Sequence, residues 1–119
     1  MTIKLTHPLL TEKYTQVHHE KDFKFNAPCH FEVLTVDGNN TVVTEVHFQE
    51  GPIKECGVNG CMNEDLIHMV VARLEGFQNS PYQCDENAEA LEHLLNALKA
   101  LRIRTDKREV RGVEGTHTI

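Results

Sequence analysis

The chain has 119 residues, of which 39% are hydrophobic, 25% charged and 6% aromatic, and its formal net charge is −6 at pH 7. This length and composition are typical of one globular domain with a modest core, which self-association would enlarge. The negative charge argues against duplex nucleic acid as the partner and no apolar stretch is long enough to span a bilayer, whereas a small anionic ligand remains compatible.

The first eight residues, Met1–Pro8, lack the long apolar core and the small-residue cleavage site of a secretory signal. This absence predicts an intracellular protein. The four cysteines are accordingly predicted to be reduced.

A small antiparallel sheet is predicted for residues 1–51. Residues 30–50 are predicted to form a β-hairpin around the turn Asp37-Gly38-Asn39-Asn40, because an Asp-Gly pair between alternating apolar residues is a strong turn signal. Residues 14–25 could add one or two strands before Asn26-Ala27-Pro28 interrupts the pattern. Gly51-Pro52 ends the sheet region.

A long antiparallel helical hairpin is predicted for residues 62–110. Asn63 is a suitable N-cap for a first helix that ends at Gly76, and a second helix opens near Cys84 or Asp85 and runs to about Arg108. Its leucines recur at helical spacing and could supply more than one interface, so dimerisation through the hairpin is expected. The predicted fold class is α+β, in a single domain of residues 1–119 with a ligand-closing tail at 111–119.

Catalysis and metal binding are not predicted. No sequence motif indicates a nucleophile with its base. Cys56 and Cys61 have a Cys-x4-Cys spacing, with Cys84 further along the chain, and this is not a usual spacing for zinc ligands. His18-His19 is expected to be an exposed strand pair, and His68 and His93 are expected on polar helix faces. We therefore predict no catalytic residue, no metal ligand and no cofactor.

The tail after the second helix could close around an anion. Gly112 and Gly115 allow backbone N–H groups to approach a bound group, while Arg111 and Thr116 add a charge and a hydroxyl. The alternative is that Gly112 only ends the helix and that the rest is a frayed terminus. Six cations crowd residues 99–111, but Lys107 and Arg108 are expected to form an ordinary solvated helix face.

Three further residues have the types that a nucleotide needs. Phe77 offers an aromatic face for a base, Asn87 an amide for a polar edge, and Arg104 a guanidinium for a pyrophosphate. The alternatives are a core plug, a first-turn polar residue and a surface cation, respectively. Seventeen positions separate Asn87 from Arg104, about 25 Å along a helix, so a pocket that uses all three residues must cross a subunit interface.

Seven strings of residues in this sequence belong together. The most specific string is Arg111-Gly112-Val113-Glu114-Gly115-Thr116-His117. The others are Phe48-Gln49-Glu50-Gly51-Pro52-Ile53-Lys54-Glu55, Gly57-Val58-Asn59-Gly60, Asn63-Glu64, Arg73-Leu74-Glu75-Gly76-Phe77-Gln78, Cys84-Asp85-Glu86-Asn87-Ala88 and Arg104-Thr105. With these strings the chain resembles the bacteriophage anti-Thoeris sponge proteins over residues 30–117, and its hairpin is more distantly similar to that of the phage anti-CBASS sponges.

The resemblance implies a protein without catalytic activity, in the cytoplasm of the infected bacterial host, that sequesters the glyco-cyclic ADP-ribose signals made by Thoeris TIR enzymes. It implies a homodimer, or a homohexamer built as a trimer of dimers. Phe77 is then expected against the ligand base, Asn87 on a polar edge and Arg104 on the phosphates. Asn59, Arg111, Gly115 and Thr116 are further lining candidates.

One departure from the family concerns cyclic oligonucleotides. Where the family commonly has Cys-Arg-Glu-Asn, this chain has Cys84-Asp85-Glu86-Asn87, and clustered aspartates would repel the phosphates of a cyclic trinucleotide. The site for glyco-cyclic ADP-ribose is expected to be retained and the trinucleotide site to be lost or altered. The alternative functions are a sponge for the cyclic di- or trinucleotides of CBASS, an enzyme that cleaves the signal, and a structural or adaptor protein.

Overall fold

The computed structural model describes residues 1–119 and divides the chain into two compact units, residues 1–61 and 62–119. The first unit holds an antiparallel sheet and the second holds two helices. The predicted α+β class is therefore confirmed. The grouping of both units into a single domain stays a prediction.

The sheet has four strands in the order β1-β2-β3-β4, and all neighbours are antiparallel. The strands are β1 Thr2–Lys4, β2 Thr15–Glu20, β3 His30–Thr35 and β4 Val42–His47. The predicted hairpin is confirmed by β3 and β4, and β2 is the strand expected within residues 14–25. Strand β1, an edge strand of three residues, was not predicted.

The β3–β4 turn forms where the Asp-Gly pair predicted it. The Asp37 carboxylate accepts hydrogen bonds from the Thr35 hydroxyl at 2.8 Å and from the Asn39 backbone N–H at 3.0 Å. The Thr35 bond is the main reason that the pKa of Asp37 lies below its ordinary value. Gly38 and Asn40 both adopt positive φ, at 87° and 49°, which glycine and asparagine tolerate better than other residues.

The two faces of the sheet differ in character. One face carries apolar side chains and the buried His19, whose ring lies 5.7 Å from that of Phe31. The His19 Nδ1–H donates to the Glu20 carbonyl at 2.6 Å, so this buried imidazole is satisfied. The expectation of an exposed His18-His19 pair was wrong for His19, because its side chain lies on the apolar face of the sheet. The opposite face carries histidines and glutamates, because side chains alternate along each strand.

The segment after β4 folds back beside that strand. It contains the short helix α1, Ile53–Cys56, and then pairs Cys61 with Phe48 in a parallel bridge. A Cβ at Gly60 would lie 2.4 Å from the carbonyl carbon and oxygen of Phe48. Only a glycine lets the two backbones approach this closely.

We expect Gly60→Ala to destabilise the protein by roughly 1–3 kcal/mol, because the added methyl group displaces backbone rather than a flexible side chain. Gly76→Ala is the matched control: nothing lies within 4 Å of its Cβ position, and alanine in a helix is favoured by about 1 kcal/mol. Urea unfolding should move the two midpoints in opposite directions. Coinciding midpoints would contradict the close approach at Gly60.

The helical hairpin consists of α2, Asn63–Gln78, and α3, Asp85–Val110. The prediction that Asn63 is the N-cap of α2 was wrong by one residue. Met62 is the N-cap, and its backbone N–H donates to the Asp65 carboxylate at 2.8 Å. The helix also continues past Gly76, because Asn79 N–H still bonds the Glu75 carbonyl and Gln78 fixes the loop by two hydrogen bonds to the Cys84 backbone.

The hairpin buries one stripe and leaves a second apolar face open. Val71 is the only apolar side chain in residues 62–119 that is buried. Leu94, Leu98 and Leu101 of α3 are half-buried. The apolar residues that remain exposed on the two helices include Met69, Val70, Leu95 and Ile103. No helix in the chain combines the length and apolar character required for crossing a membrane.

Candidate functional site: a basic groove on the second helix

A basic groove runs along the C-terminal half of α3. It has a volume of about 390 Å³ and is lined by Ala100, Ile103, Arg104, Lys107, Arg108 and Arg111. Counted from Ala100, the other positions are i+3, i+4, i+7, i+8 and i+11, so they share one face of the helix. Four of the six lining residues are cations, and none carries a carboxylate, thiol, hydroxyl or imidazole. The groove is built to attract an anion.

Two of the groove cations have no partner within the protein. The side chains of Arg104 and Lys107 are exposed and form no hydrogen bond or ion pair. The neighbouring Arg102 instead donates to Asp106 at 2.8 Å on another face of the helix. The ion pair between Arg102 and Asp106 therefore lies away from the groove. The positive charges of Arg104 and Lys107 are not neutralised by a nearby carboxylate.

The tail folds back onto the end of α3. Gly112, with φ of 73°, ends the helix in a Schellman motif: its N–H bonds the Glu109 carbonyl, and the Val113 N–H bonds the Arg108 carbonyl, both at 3.0 Å. Gly112 therefore ends the helix, as one alternative predicted, and the tail that follows it is nevertheless ordered. The reading of the terminus as frayed was wrong, because hydrogen bonds hold the tail.

Arginine side chains hold the tail through its carbonyl groups. The Arg108 guanidinium donates to the carbonyls of Val113, Thr116 and Thr118 at 2.8–3.1 Å, and Arg111 donates to the main-chain oxygen of Ile119 at 2.6 Å. The Thr116 hydroxyl donates to the Val113 carbonyl at 2.5 Å. Gly115 has φ of 76° within this turn. The predicted tail residues thus gather beside the groove.

Phe77 and Asn87 lie at the opposite end of α3, where the hairpin loop joins the helices. The Arg73 guanidinium carbon lies 5.2 Å from the centre of the Phe77 ring, so one face of this ring has a cation over it. The Ser80 hydroxyl donates to the Phe77 carbonyl at 2.6 Å. Asn87 is half-buried in the first turn of α3. We call Arg73, Phe77 and Asn87 the loop-end cluster.

A single hairpin does not bring the loop-end cluster to the basic groove. Because α3 is continuous from Asp85 to Val110, Asn87 and Arg104 are about 25 Å apart along its axis. Arg104 and Arg111 share the groove, whereas Phe77 and Asn87 share the loop end. The sequence-based expectation that these residues cannot converge within one chain is confirmed.

Asn59 lies in the first unit, and its side chain is engaged by backbone. Its Oδ1 accepts from the Glu50 N–H at 2.7 Å, and its Nδ2 donates to the Glu50 carbonyl at 2.8 Å. Its own N–H donates to the Gln49 side chain at 2.9 Å. This residue fastens the segment after β4.

Sequence reasoning missed three functional candidates near these sites. Lys107 and Arg108 were expected to be solvated cations, but both line the groove, and Arg108 also holds the tail. Their spacing of three and four from Arg104 was the available signal. Arg73 was not considered, although it precedes Phe77 by four positions on the same helix.

One group of side chains has the composition of a metal site. His30, His47 and Glu50 bring two imidazole nitrogens and a carboxylate oxygen within 4.8 Å of one another. Hydrogen bonds from His47 and from His30 hold the pKa of the Glu50 carboxyl below its ordinary value. The cysteines form no such group; Cys29 is buried, and burial raises the pKa of its thiol.

The fold and the groove define a class of small α+β protein in which a helical hairpin carries a basic face. The model of the Acb2/Tad1 hairpin domain matches residues 40–105, a range that includes Asn59, Phe77, Asn87 and Arg104. A protein of Bacillus phage SBSphiJ7 named Thoeris anti-defense 1 is 49% identical over an alignment of 138 residues, which covers 96% of this chain and 97% of the relative. The chain belongs to the Acb2/Tad1 hairpin family and, within it, to the phage anti-Thoeris proteins.

Proposed function

We propose that this protein is a sponge: it binds glyco-cyclic ADP-ribose, the signal of bacterial Thoeris TIR enzymes, and withholds it from the effector without chemical change. It acts in the cytoplasm of the infected bacterium. The observation that carries the proposal is the basic groove, whose cations Arg104 and Lys107 have no partner in the protein. The similarity to a phage protein named for anti-defence against Thoeris supports the same assignment.

The charges of the groove match a pyrophosphate. Arg104 has a planar guanidinium that can donate two parallel hydrogen bonds to phosphate oxygens, and Lys107 adds a point charge one turn away. Arg111 lies one further turn along, and its guanidinium donates to the main-chain oxygen of Ile119. Gly115 and Thr116 belong to the tail segment that would close over the bound ligand.

The base and ribose of the ligand need the loop-end cluster of a second copy. Phe77 would stack on the base with the ring face opposite Arg73, and Asn87 would bond a polar edge. Because about 25 Å separates Asn87 from Arg104 in one chain, the second copy lies alongside so that its loop-end cluster meets this chain's groove. Each dimer then has two equivalent pockets.

Exposed apolar side chains on the hairpin support this assembly. Met69 and Val70 of α2 and Leu95 and Ile103 of α3 are exposed, and a second copy would cover them. A homodimer fulfils the need for a shared pocket, and a homohexamer built as a trimer of dimers would multiply the binding sites.

A binding role is favoured over catalysis by the chemistry of the groove. Its lining supplies cations and apolar side chains but no nucleophile, general base or metal ligand. Such a site stabilises a bound anion and leaves its bonds intact. The test is calorimetric titration of the protein with glyco-cyclic ADP-ribose. Saturable binding near one ligand per chain supports the proposal, and absence of heat at millimolar ligand would overturn it.

Cyclic oligonucleotides are the second candidate class of ligand, and the charge of Asp85 controls how strongly they would bind. Asp85 is the first residue of α3 and follows the N-cap Cys84. An exposed carboxylate here repels phosphates. We infer that the chain binds glyco-cyclic ADP-ribose but binds cyclic trinucleotides weakly.

Asp85→Arg is expected to raise the affinity for cyclic triadenylate at least tenfold, because it exchanges a repulsive for an attractive charge. Asp85→Ala should give an intermediate affinity, since it removes the repulsion alone. Calorimetry with cyclic triadenylate measures both variants. Tight binding of this ligand by the unaltered protein would contradict the inference.

A further inference from the structure

A cluster of two histidines and one glutamate lies at the end of the β3–β4 hairpin. His30 and His47 are opposed in the strand register, and their rings are stacked with centres 4.0 Å apart. The Glu50 Oε1 lies 2.5 Å from the His30 Nε2 and 2.9 Å from the His47 Nε2. Three potential ligand atoms therefore converge from three positions within residues 30–50.

The backbone of each member is fixed by a bond from outside the cluster. The His30 N–H donates to the Glu20 carboxylate at 3.0 Å, and the His47 carbonyl accepts from the Cys61 N–H at 2.8 Å. Asn59 holds both the N–H and the carbonyl of Glu50. The backbone positions of the three residues are thus fixed, which lowers the entropic cost of bringing their side chains together on a ligand.

The donor set is that of a transition-metal site with an open position. Two neutral imidazoles and one carboxylate suit Zn²⁺, which in its open sites takes three protein ligands and a water. Tetrahedral Zn²⁺ with bonds of 2.0–2.1 Å needs ligand atoms about 3.3 Å apart, so the two separations from the Glu50 Oε1 have to open by less than about 1 Å. The side chains of His30 and His47 are 54% and 42% exposed, which leaves room for this movement.

The neighbouring charges independently favour a cation. Glu32 of β3 is directly opposite Glu45 of β4, and the pair lies two positions from His30 and His47 on the same face. Like charges directly opposed across strands are destabilising. A bound divalent cation would offset this repulsion and the charge of Glu50.

We propose that His30, His47 and Glu50 form a Zn²⁺ site. The metal replaces the shared hydrogen bonds of Glu50, cross-links β3, β4 and the segment after β4, and keeps at least one position for water or an external ligand. The site uses none of the residues of the basic groove or the loop-end cluster, and it does not depend on the proposed sponge function.

The test is titration of the full-length, chelator-treated protein with ZnCl₂ under reducing conditions. The expected result is one Zn²⁺ per chain and a rise in melting temperature. The double variant His30→Gln/His47→Gln and the single variant Glu50→Gln should each weaken Zn²⁺ binding at least tenfold. The control is His93→Gln, because His93 is also exposed and its Nε2 lies 3.6 Å from the Glu89 carboxylate. The Zn²⁺ affinity of this variant should equal that of the unaltered protein.

Co²⁺ tests the same site in the unaltered protein. Imidazole resonances of His30 and His47 should shift or broaden first, and the absorption spectrum should lack the charge-transfer band of a thiolate ligand. Unchanged Zn²⁺ affinity in the double variant, a thiolate band, or absence of binding would each overturn the proposal. Calorimetry with glyco-cyclic ADP-ribose on the double variant should give the affinity of the unaltered protein.

Discussion

Arg104→Ala is expected to weaken binding of glyco-cyclic ADP-ribose about a hundredfold. The unpaired guanidinium at the centre of the groove is the group best placed to donate two hydrogen bonds to the pyrophosphate. Hydrogen bonds to charged groups contribute about 1.5–3 kcal/mol each, and about 1.4 kcal/mol corresponds to a factor of ten. Arg104→Lys should recover only part of the loss, because lysine keeps the charge but not the paired donors. Calorimetric titration measures all three proteins.

Arg102→Ala is the matched control for that experiment. Arg102 lies two positions from Arg104 on the same helix and carries the same charge, but it pairs with Asp106 outside the groove. Its removal should change the affinity less than threefold, a small effect typical of an exposed ion pair. Equal losses in the two variants would mean that the net charge of α3, and not the groove, controls binding.

Mixing two inactive variants should restore binding if the pocket is shared between two chains. Phe77→Ala removes the stacking ring, worth about 1–3 kcal/mol per base, and Arg104→Ala removes the phosphate donor. In a dimer with one chain of each kind, one pocket has both defects and the other has neither. Roughly half of the sites of this mixed dimer should bind like the unaltered protein.

The two variants should be co-expressed with different tags and purified over both tags in succession, so that only mixed oligomers are titrated. The control is the Phe77→Ala variant carrying both tags on separate chains, which should stay inactive. If the mixed oligomer binds as weakly as either parent, the pocket does not combine Phe77 and Arg104 from different chains. The account of the shared site would then be wrong.

The sequence predicted the elements whose signals are local. Leucines at helical spacing gave α3 to within about two residues, and Asp37-Gly38 gave the β3–β4 turn. Strand β1 has only three residues and depends on pairing with β2, so its own sequence carries almost no signal. The start of α2 was displaced by one residue because the Asp65 carboxylate caps from within the helix.

The candidate site was predictable only where one helix carries it. Arg104 and Arg111 follow from helical spacing, but whether Lys107 and Arg108 point into a groove or into solvent depends on the face and on the tail that folds back onto it. Asn59 has a side chain of a type that often binds ligands. Only the three-dimensional structure shows that its amide forms two hydrogen bonds with the Glu50 backbone. The strand register that places His30 opposite His47 could likewise not be predicted from the sequence.

A sponge holds its signal without altering it. The measurement that tests this mixes excess purified protein with glyco-cyclic ADP-ribose, passes the mixture through a filter that retains protein, and analyses the filtrate by chromatography before and after heat denaturation. We expect the ligand to disappear from the first filtrate and to return intact after heating. Recovery of a degraded product would contradict it and indicate an enzyme, and a filtrate that is never depleted would contradict the assignment of this ligand.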